Sequence, residues 1–357
     1  MEITLDKHSA NQASIKITLN EADYQPKVDS KLKDYAKKAS IRGFRPGKAP
    51  ISMVKNIYGT SILVDEINAI LGESLNGYLK EQSFRILGEP LPVEKADNSI
   101  DWKTQKEFDF EYKIGFVESV ALSLDNSIKG AKYTILVDEK LVNETIENLK
   151  SQYGDNTNPE ESIAAELNQE FFDKIFGPAV VNSEEEFINK VKETLQSSYD
   201  RESKVFTEEE LKKVLVDSAN LSLPDEFLKE WLLRANEGKV SASDVENEYP
   251  LYAKQLTWSL ISNQIAKDNG IQAEHADVIE KTKEMIREQF ASSGLGAQLE
   301  ASMDMFVDNY LKGNEGQNYM NMMTSVQNEK VLAFVQEKID LTEKTISIDE
   351  FKELLEK

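Results

Sequence analysis

The stretch "EFDFEYKIGFV", Glu107–Val117, sets Phe108, Phe110, Tyr112, Ile114 and Phe116 on alternate positions. A strand projects successive side chains to opposite faces, so this alternation predicts a strand with one buried apolar face. A second alternation lies at the start of the chain. Ile3 and Leu5 alternate with polar neighbours, "HSANQ" (8–12) has turn character, and Ile15, Ile17 and Leu19 alternate again. That pattern predicts an N-terminal β-hairpin. Between hairpin and strand the period changes. Val28, Leu32, Tyr35, Ala36 and Ala39 share one face of a helix over 27–39, and a second helical stretch runs from about Ile51 to Lys80. Residues 1–117 thus read as a small α+β domain, two helical segments against an antiparallel sheet.

Residues 118–162 read as an extended connector. Tyr133, Ile135 and Val137 suggest one more strand, "DEKLVNETIENLKSQYG" gives a helix ending at Gly154, and "DNTNPEES" is a polar linker. Asp155 opens that linker like a calcium loop, but Pro159 and Glu160 stand where an oxygen ligand and a glycine are needed. From 163 to 357 nearly everything has helical character. Ser183 with Glu186 forms a capping box before Phe187 and Val191. Pro224 suits a first helical position ahead of Phe227, Leu228, Trp231 and Leu232, with Gly238 just past the helix. Val278, Ile279, Met285, Ile286 and Phe290 make another apolar stripe. The expected architecture is α+β: an N-terminal antiparallel sheet with helices, then a mostly α-helical C-terminal domain. No fixed-period repeat is evident.

Composition excludes several chemistries. Among 357 residues there is no cysteine, so disulfides, thiolate metal sites and cysteine nucleophiles are absent. His8 and His275 are the only histidines, and neither has a serine–carboxylate arrangement nearby. The first twenty residues do not resemble a signal peptide, and no run of about 20 apolar residues suggests a membrane span. The expected location is the cytoplasm, with no membrane partner. Glu184–Glu186 and Glu208–Glu210 read as solvated helix starts, favoured by the helix dipole. No catalytic residue, metal ligand or cofactor is expected.

Charge is uneven. The chain carries 42 basic and 64 acidic residues, a net of -22. Nine basic residues between Lys27 and Lys55 face only Asp29 and Asp34, a local +7 that leaves -29 elsewhere. An acidic protein repels polyanions at long range, so any such contact must be local. Within this segment "KKASIRGFRPGKAP", Lys37–Pro50, combines Pro46 and Pro50, which restrict the backbone, with Gly43 and Gly47, which permit tight turns. Phe44 between Arg42 and Arg45 is either presented at the tip of a stiff basic prong or folded inward in a structural turn. The run "GFRPGK" is not a phosphate-binding P-loop. Only three residues separate its glycines, and Ala49 follows Lys48 where a magnesium-binding hydroxyl belongs.

Methionine supplies a second candidate surface. Met303, Met305, Met320, Met322 and Met323 cluster with Phe306, Tyr310 and Tyr319. Flexible, polarisable side chains suit either a helical core or a surface that accepts varied apolar partners. Met322 and Met323 are adjacent, so they cannot both face one core.

"GFRPGKAP" (43–50) followed by "VKNIYG" (54–59) closely resembles the ribosome-docking signature of the trigger factor family of bacterial ribosome-associated chaperones. The resemblance continues through "ILGEPLPVE" (86–94) and "FDFEYKIGFVE" (108–118). It resumes at "AELNQEFFDKIFG" (165–177) and persists to "TISIDEFKELLEK" (345–357). It implies a ribosome-binding domain at 1–117 and a helical chaperone domain at 163–357. It also implies ATP-independent holding of unfolded nascent polypeptides, with the loop docked beside the exit tunnel of the large ribosomal subunit on ribosomal protein and RNA. Gly43, Phe44 and Arg45 match the core of the signature and Gly47, Lys48 and Pro50 complete it, with Arg42 and Pro46 in the same loop. Pro46 stands where some relatives have a basic residue. The client contacts expected on this basis are Met303, Phe306, Tyr310, Met320 and Met323. Off the ribosome the expected state is a weak homodimer.

There is one departure. Trigger factors usually carry an FKBP-like prolyl isomerase domain of roughly 100 residues before the helical body, whereas about ten linker residues stand there in this chain. The chain is therefore expected to lack isomerase activity. The alternatives are an isomerase with an unrecognised site and a ribosome-bound structural factor without clients.

Overall fold

The computed structural model describes residues 1–41, 44–45, 47–94, 100–118, 122–125, 128–154, 164–290 and 296–355. The first elements are β1 (Glu2–Lys7), β2 (Gln12–Leu19), α1 (Glu21–Lys38), α2 (Ile51–Lys80), β3 (Arg85–Pro92) and β4 (Phe108–Val117). Then come β5 (Lys129–Ile135), α3 (Glu139–Gln152), α4 (Gln169–Phe176), α5 (Glu184–Ala219), α6 (Asp225–Ala235) and α7 (Ala242–Asn269). The last are α8 (His275–Phe290), α9 (Gly296–Ala301), α10 (Met303–Lys312), α11 (Gln317–Lys338), β6 (Asp340–Ile346) and α12 (Ile348–Leu355). They form two compact units, 1–121 with 220–257, and 122–219 with 258–357. Packing thus groups 220–257 with the N-terminal residues, across the chain order by which sequence divides 1–117, 118–162 and 163–357. The linker at 155–162 lies outside the described residues.

In the first unit an antiparallel sheet runs β1-β2-β4-β3. The hairpin closes where His8 and Ser9 N–H donate to the Gln12 carbonyl. Ile15, Ile17 and Leu19 of β2 lie opposite Tyr112, Phe110 and Phe108 of β4. This face is buried under Tyr24, Val28 and Leu32 of α1 and Val54, Ile62 and Ile67 of α2. Both helices are therefore held by the alternation that predicted the strand. α1 starts earlier than residue 27, at Glu21, because Asn20 and Asp23 form a reciprocal cap, and Pro26 is tolerated inside it. Tyr35 is not on the buried face. It stands one residue off the Val28–Leu32–Ala36 row, exposed, with its ring 4.9 Å from that of Tyr58.

β3 escapes the sequence pattern because Gly88 and Pro90 interrupt it. Its register against β4 shifts between Leu87 and Leu91.

Alternation ends at the far end of β4, where Ile114, Gly115, Phe116 and Val117 are all buried. The second sheet face is covered there by α6. A Cβ on Gly115 would lie 2.3 Å from the Phe227 ring, and one on Gly88 would lie 2.9 Å from Trp231. Polar contacts frame this seam. Asn11 Nδ2 donates to the Leu223 carbonyl at 2.7 Å, and Lys113 pairs with Glu230 at 3.0 Å. Pro224 is the N-cap of α6, and Gly238 follows the helix with φ +78°.

The second unit has helical clusters and one two-stranded sheet. α3, capped by the Asp138 carboxylate on Leu141 N–H, packs with Phe171 and Phe172 of α4 and Phe187 of α5. At the start of α5, Ser183 Oγ accepts from Glu186 N–H, while the Glu186 carboxylate accepts from Asn182 N–H, one residue before a standard box. β5 pairs with β6 in parallel, Lys129↔Asp340 to Ile135↔Ile346. The expectation that the second half is almost wholly helical misses β6, whose partner lies about two hundred residues away, beyond the reach of any local period. Ile348 and Phe351 of α12 bury against Ile135.

Gly115→Ala is expected to lower the unfolding free energy by about 1–3 kcal/mol, the usual cost of overpacking a filled site. Urea denaturation measures this, and an unchanged midpoint would contradict the α6 seam.

Candidate functional site

The ends of α1 and α2 carry the loop, and three apolar residues root it. Ala39, Ile41 and Ala49 are buried in the same core as the sheet. Backbone hydrogen bonds then fold it tightly: Phe44 N–H donates to Ile41 C=O at 3.0 Å, Lys48 N–H to Arg45 C=O at 2.9 Å, and Gly47 N–H to Ala39 C=O at 3.2 Å. Gly47 has φ +75°, and a Cβ there would sit 2.5 Å from the Lys37 carbonyl oxygen. Only glycine combines that dihedral with that approach. Phe44, 39% exposed, is thus presented, with Arg45 and Lys48 exposed beside it. Arg42, Gly43 and Pro46 lie outside the described residues.

Ion pairs sort the local charge. Away from the loop, Lys27 pairs with Glu73 at 3.2 Å and Lys31 with Glu66 at 3.5 Å. Nearer to it, Lys37 pairs with Asp34 at 2.9 Å, and the hydrogen bond from that ammonium holds the Asp34 carboxyl below its ordinary range. Lys33, Lys38, Arg45, Lys48 and Lys55 make no ion pair among the described residues. The charge left available therefore gathers around the tip. Sequence reading missed the exposed aliphatic residues Ile51, Met53 and Ile57 beside it on α2. Their signal was that Val54, Ile62 and Ile67 already fill the buried face.

The methionine cluster splits. Met303 is only 3% exposed and forms core with Val278, Val307, Leu311 and Met322, so it is not the surface residue expected. Tyr310 and Met323 are half-buried against that core. Phe306 (38%) and Met320 (57%) are exposed, as is Met305 (57%), which was not among the expected contacts. Other candidates settle into local roles. His8 Nε2 lies 2.8 Å from Ser14 Oγ, and His275 Nδ1 lies 3.2 Å from the Tyr319 hydroxyl. Glu184–Glu186 do occupy the first turn of α5, but Glu208–Glu210 lie within that helix. Burial pushes the Glu208 carboxyl up, opposed by Lys204 and Lys212. Among the described residues no group of three His, Asp or Glu could hold a metal ion, and no helix is long and apolar enough to cross a membrane.

A sheet-backed helix pair thus presents a basic, aromatic-tipped loop, in a chain whose other unit is mainly helical. Two family models match this chain: "Bacterial trigger factor protein (TF)" over residues 1–149, and "Probable trigger factor, C-terminal domain" over 203–355. The chain belongs to the trigger factor family. It is 31% identical to the trigger factor of Rickettsia massiliae (strain Mtu5) over 149 residues, 42% of this chain and 32% of that protein. It is 30% identical to that of Variovorax paradoxus (strain S110) over 152 residues, 43% of this chain and 34% of the relative. The matched stretch thus spans about a third of the length of these curated relatives. A solved structure, described as promiscuous substrate recognition in folding and assembly activities of the trigger factor chaperone, superposes with a TM-score of 0.57 at 12% identity. It covers 94% of this chain and 100% of that one, which is a likeness of fold.

Gly47→Ala is expected to destabilise the chain by about 1–3 kcal/mol, the cost of a strained left-handed residue, and to speed amide exchange at Phe44 and Lys48. Gly72→Ala, where a Cβ meets nothing within 4 Å, serves as the helix-interior control and should be neutral or stabilising. Equal thermal shifts for the two variants would refute the role given to Gly47.

Proposed function

We propose that this chain is an ATP-independent cytoplasmic chaperone that docks on the large ribosomal subunit beside the tunnel exit and holds unfolded nascent polypeptides. Residues 1–117 serve as its ribosome-binding domain, 118–162 as connector and 163–357 as the client-binding body. The observation that carries this reading is the exposed Phe44–Arg45 tip on a loop rooted by Ala39, Ile41 and Ala49, in a segment where Lys38, Arg45 and Lys48 make no ion pair among the described residues.

A rooted loop loses little freedom on docking, so more of its contact energy appears as affinity. Arginine grips phosphate or carboxylate in two-pronged fashion, and the Phe44 ring fills a pocket or stacks on a base. Long-range repulsion by the remaining -29 charges keeps the other surfaces off RNA. Clients then meet exposed apolar side chains, with Met305, Phe306 and Met320 the candidates. Many weak contacts need no nucleotide, because a client leaves as it buries its own apolar surface. Away from the ribosome the same loop is available for weak self-association.

The double variant Phe44→Ala/Arg45→Ala is expected to weaken ribosome co-sedimentation at least tenfold, by roughly the cost of removing interface hot spots, with thermal unfolding unchanged. Undiminished co-sedimentation would overturn the docking assignment. Phe306→Ser/Met320→Ser should lessen ATP-free suppression of aggregation of an unfolded protein. The unaltered chain should leave proline-limited refolding at its slow spontaneous rate. Acceleration at substoichiometric protein would instead establish an isomerase, and no suppression of aggregation would leave a structural factor.

A further inference from the structure

A two-stranded sheet has two outer edges, each offering the N–H and C=O of every second residue. In the β5–β6 pair these edges are unlike. That of β5 is closed by α5: Tyr133 N–H donates to Thr207 Oγ1 at 3.3 Å, Ser203 Oγ donates to the Tyr133 carbonyl, and Gln196 Nε2 donates to the Ile135 carbonyl at 3.2 Å. That of β6 is open. Leu136 N–H donates to the Ile346 carbonyl at 3.0 Å, so the even-numbered residues of β6 face β5. By alternation the backbone groups of Leu341, Glu343 and Thr345 face outward, and among the described residues no hydrogen bond from another element reaches them. Glu343 and Thr345 are exposed.

We propose that the outer edge of β6 takes an extended segment of unfolded polypeptide as a third strand, through the N–H and C=O groups of Leu341, Glu343 and Thr345. The proposal rests on the chaperone reading and names a means of client capture for it. Outward groups repeat every second residue, about 6.7 Å apart, a spacing that an extended peptide backbone matches. Pairing through the backbone ignores client side chains, which suits clients that share no sequence. Neighbouring Glu343 and Lys344 carry opposite charges, so the strand rejects neither sign of client. A second copy fits poorly. Antiparallel pairing of β6 with itself over its full length sets Glu343 opposite Glu343, in chains that each carry -22.

Amide hydrogen exchange of the whole chain, with and without a reduced, carboxymethylated protein as unfolded probe, tests this. With the probe, exchange at Leu341, Glu343 and Thr345 should slow by about tenfold or more, while Lys344, which faces β5, is unchanged. Glu343→Pro removes one outward donor and spares the ladder to β5, so it should weaken probe binding about tenfold, roughly one hydrogen bond. Glu343→Gln keeps that N–H and loses the 4.0 Å pair with Lys132, and should bind as the unaltered chain does. Probe binding with unchanged exchange at the three amides overturns the edge and leaves the chaperone reading standing. No probe binding by the unaltered chain overturns both. Slowing that needs no probe and grows with protein concentration gives the edge to a second copy and overturns the proposal. Should the proline variant not fold, exchange in the unaltered chain still decides.

Discussion

Burial of one face of β4 beneath α1 and α2 is the contact on which the Lys37–Pro50 loop depends. Phe108, Ile114 and Phe116 are wholly buried, and Val28, Leu32, Val54 and Ile67 close over the sheet that holds them. Each large side chain so placed contributes about 1.5–3 kcal/mol. This fixes the C-terminus of α1 and the N-terminus of α2, and the loop between them inherits their positions. Ala39, Ile41 and Ala49 extend the same core into the loop, so its stiffness comes from burial as well as from proline and glycine. A loop held in this way has little conformational freedom left to lose.

Charge is organised by removal rather than by accumulation. The pair Lys27–Glu73 is exposed on both sides and contributes little stability, while in Lys31–Glu66 the lysine is exposed and the carboxylate is half-buried. Their effect is local neutralisation, which leaves the free cations of the segment around Phe44. Glu66 and Glu73 belong to α2, and only folding brings them beside α1. The count of nine basic residues in the sequence therefore overstates the patch and does not locate it.

The loop was legible because its chemistry is contiguous: rigidity, charge and the aromatic ring fall within Lys37–Pro50. The methionine cluster was less so. Methionine serves core and surface equally well, and clustering along the chain does not say which side of a helix faces inward. Met303 and Met322 fill the core of α8, α10 and α11, while Met305 and Met320 face out. Tyr35 and Ile57 show the same limit, since apolar residues one step from the buried row are left exposed by a helix packed on a single side.

What the sequence determined by itself was local: the alternation of β1, β2 and β4, the helical rows of α1 and α2, the cap at Ser183, and the Lys37–Pro50 loop with its family signature. Each is written in residues a few positions apart, where steric and hydrogen-bonding preferences act directly. Tertiary structure alone decided that α6 seats Phe227 over Gly115, that β5 runs parallel to β6, and which methionines face out. Those outcomes depend on groups a hundred or more residues apart, or on which face of an element finds a partner. No period along the chain encodes either, because burial is settled by whichever surface arrives to cover it.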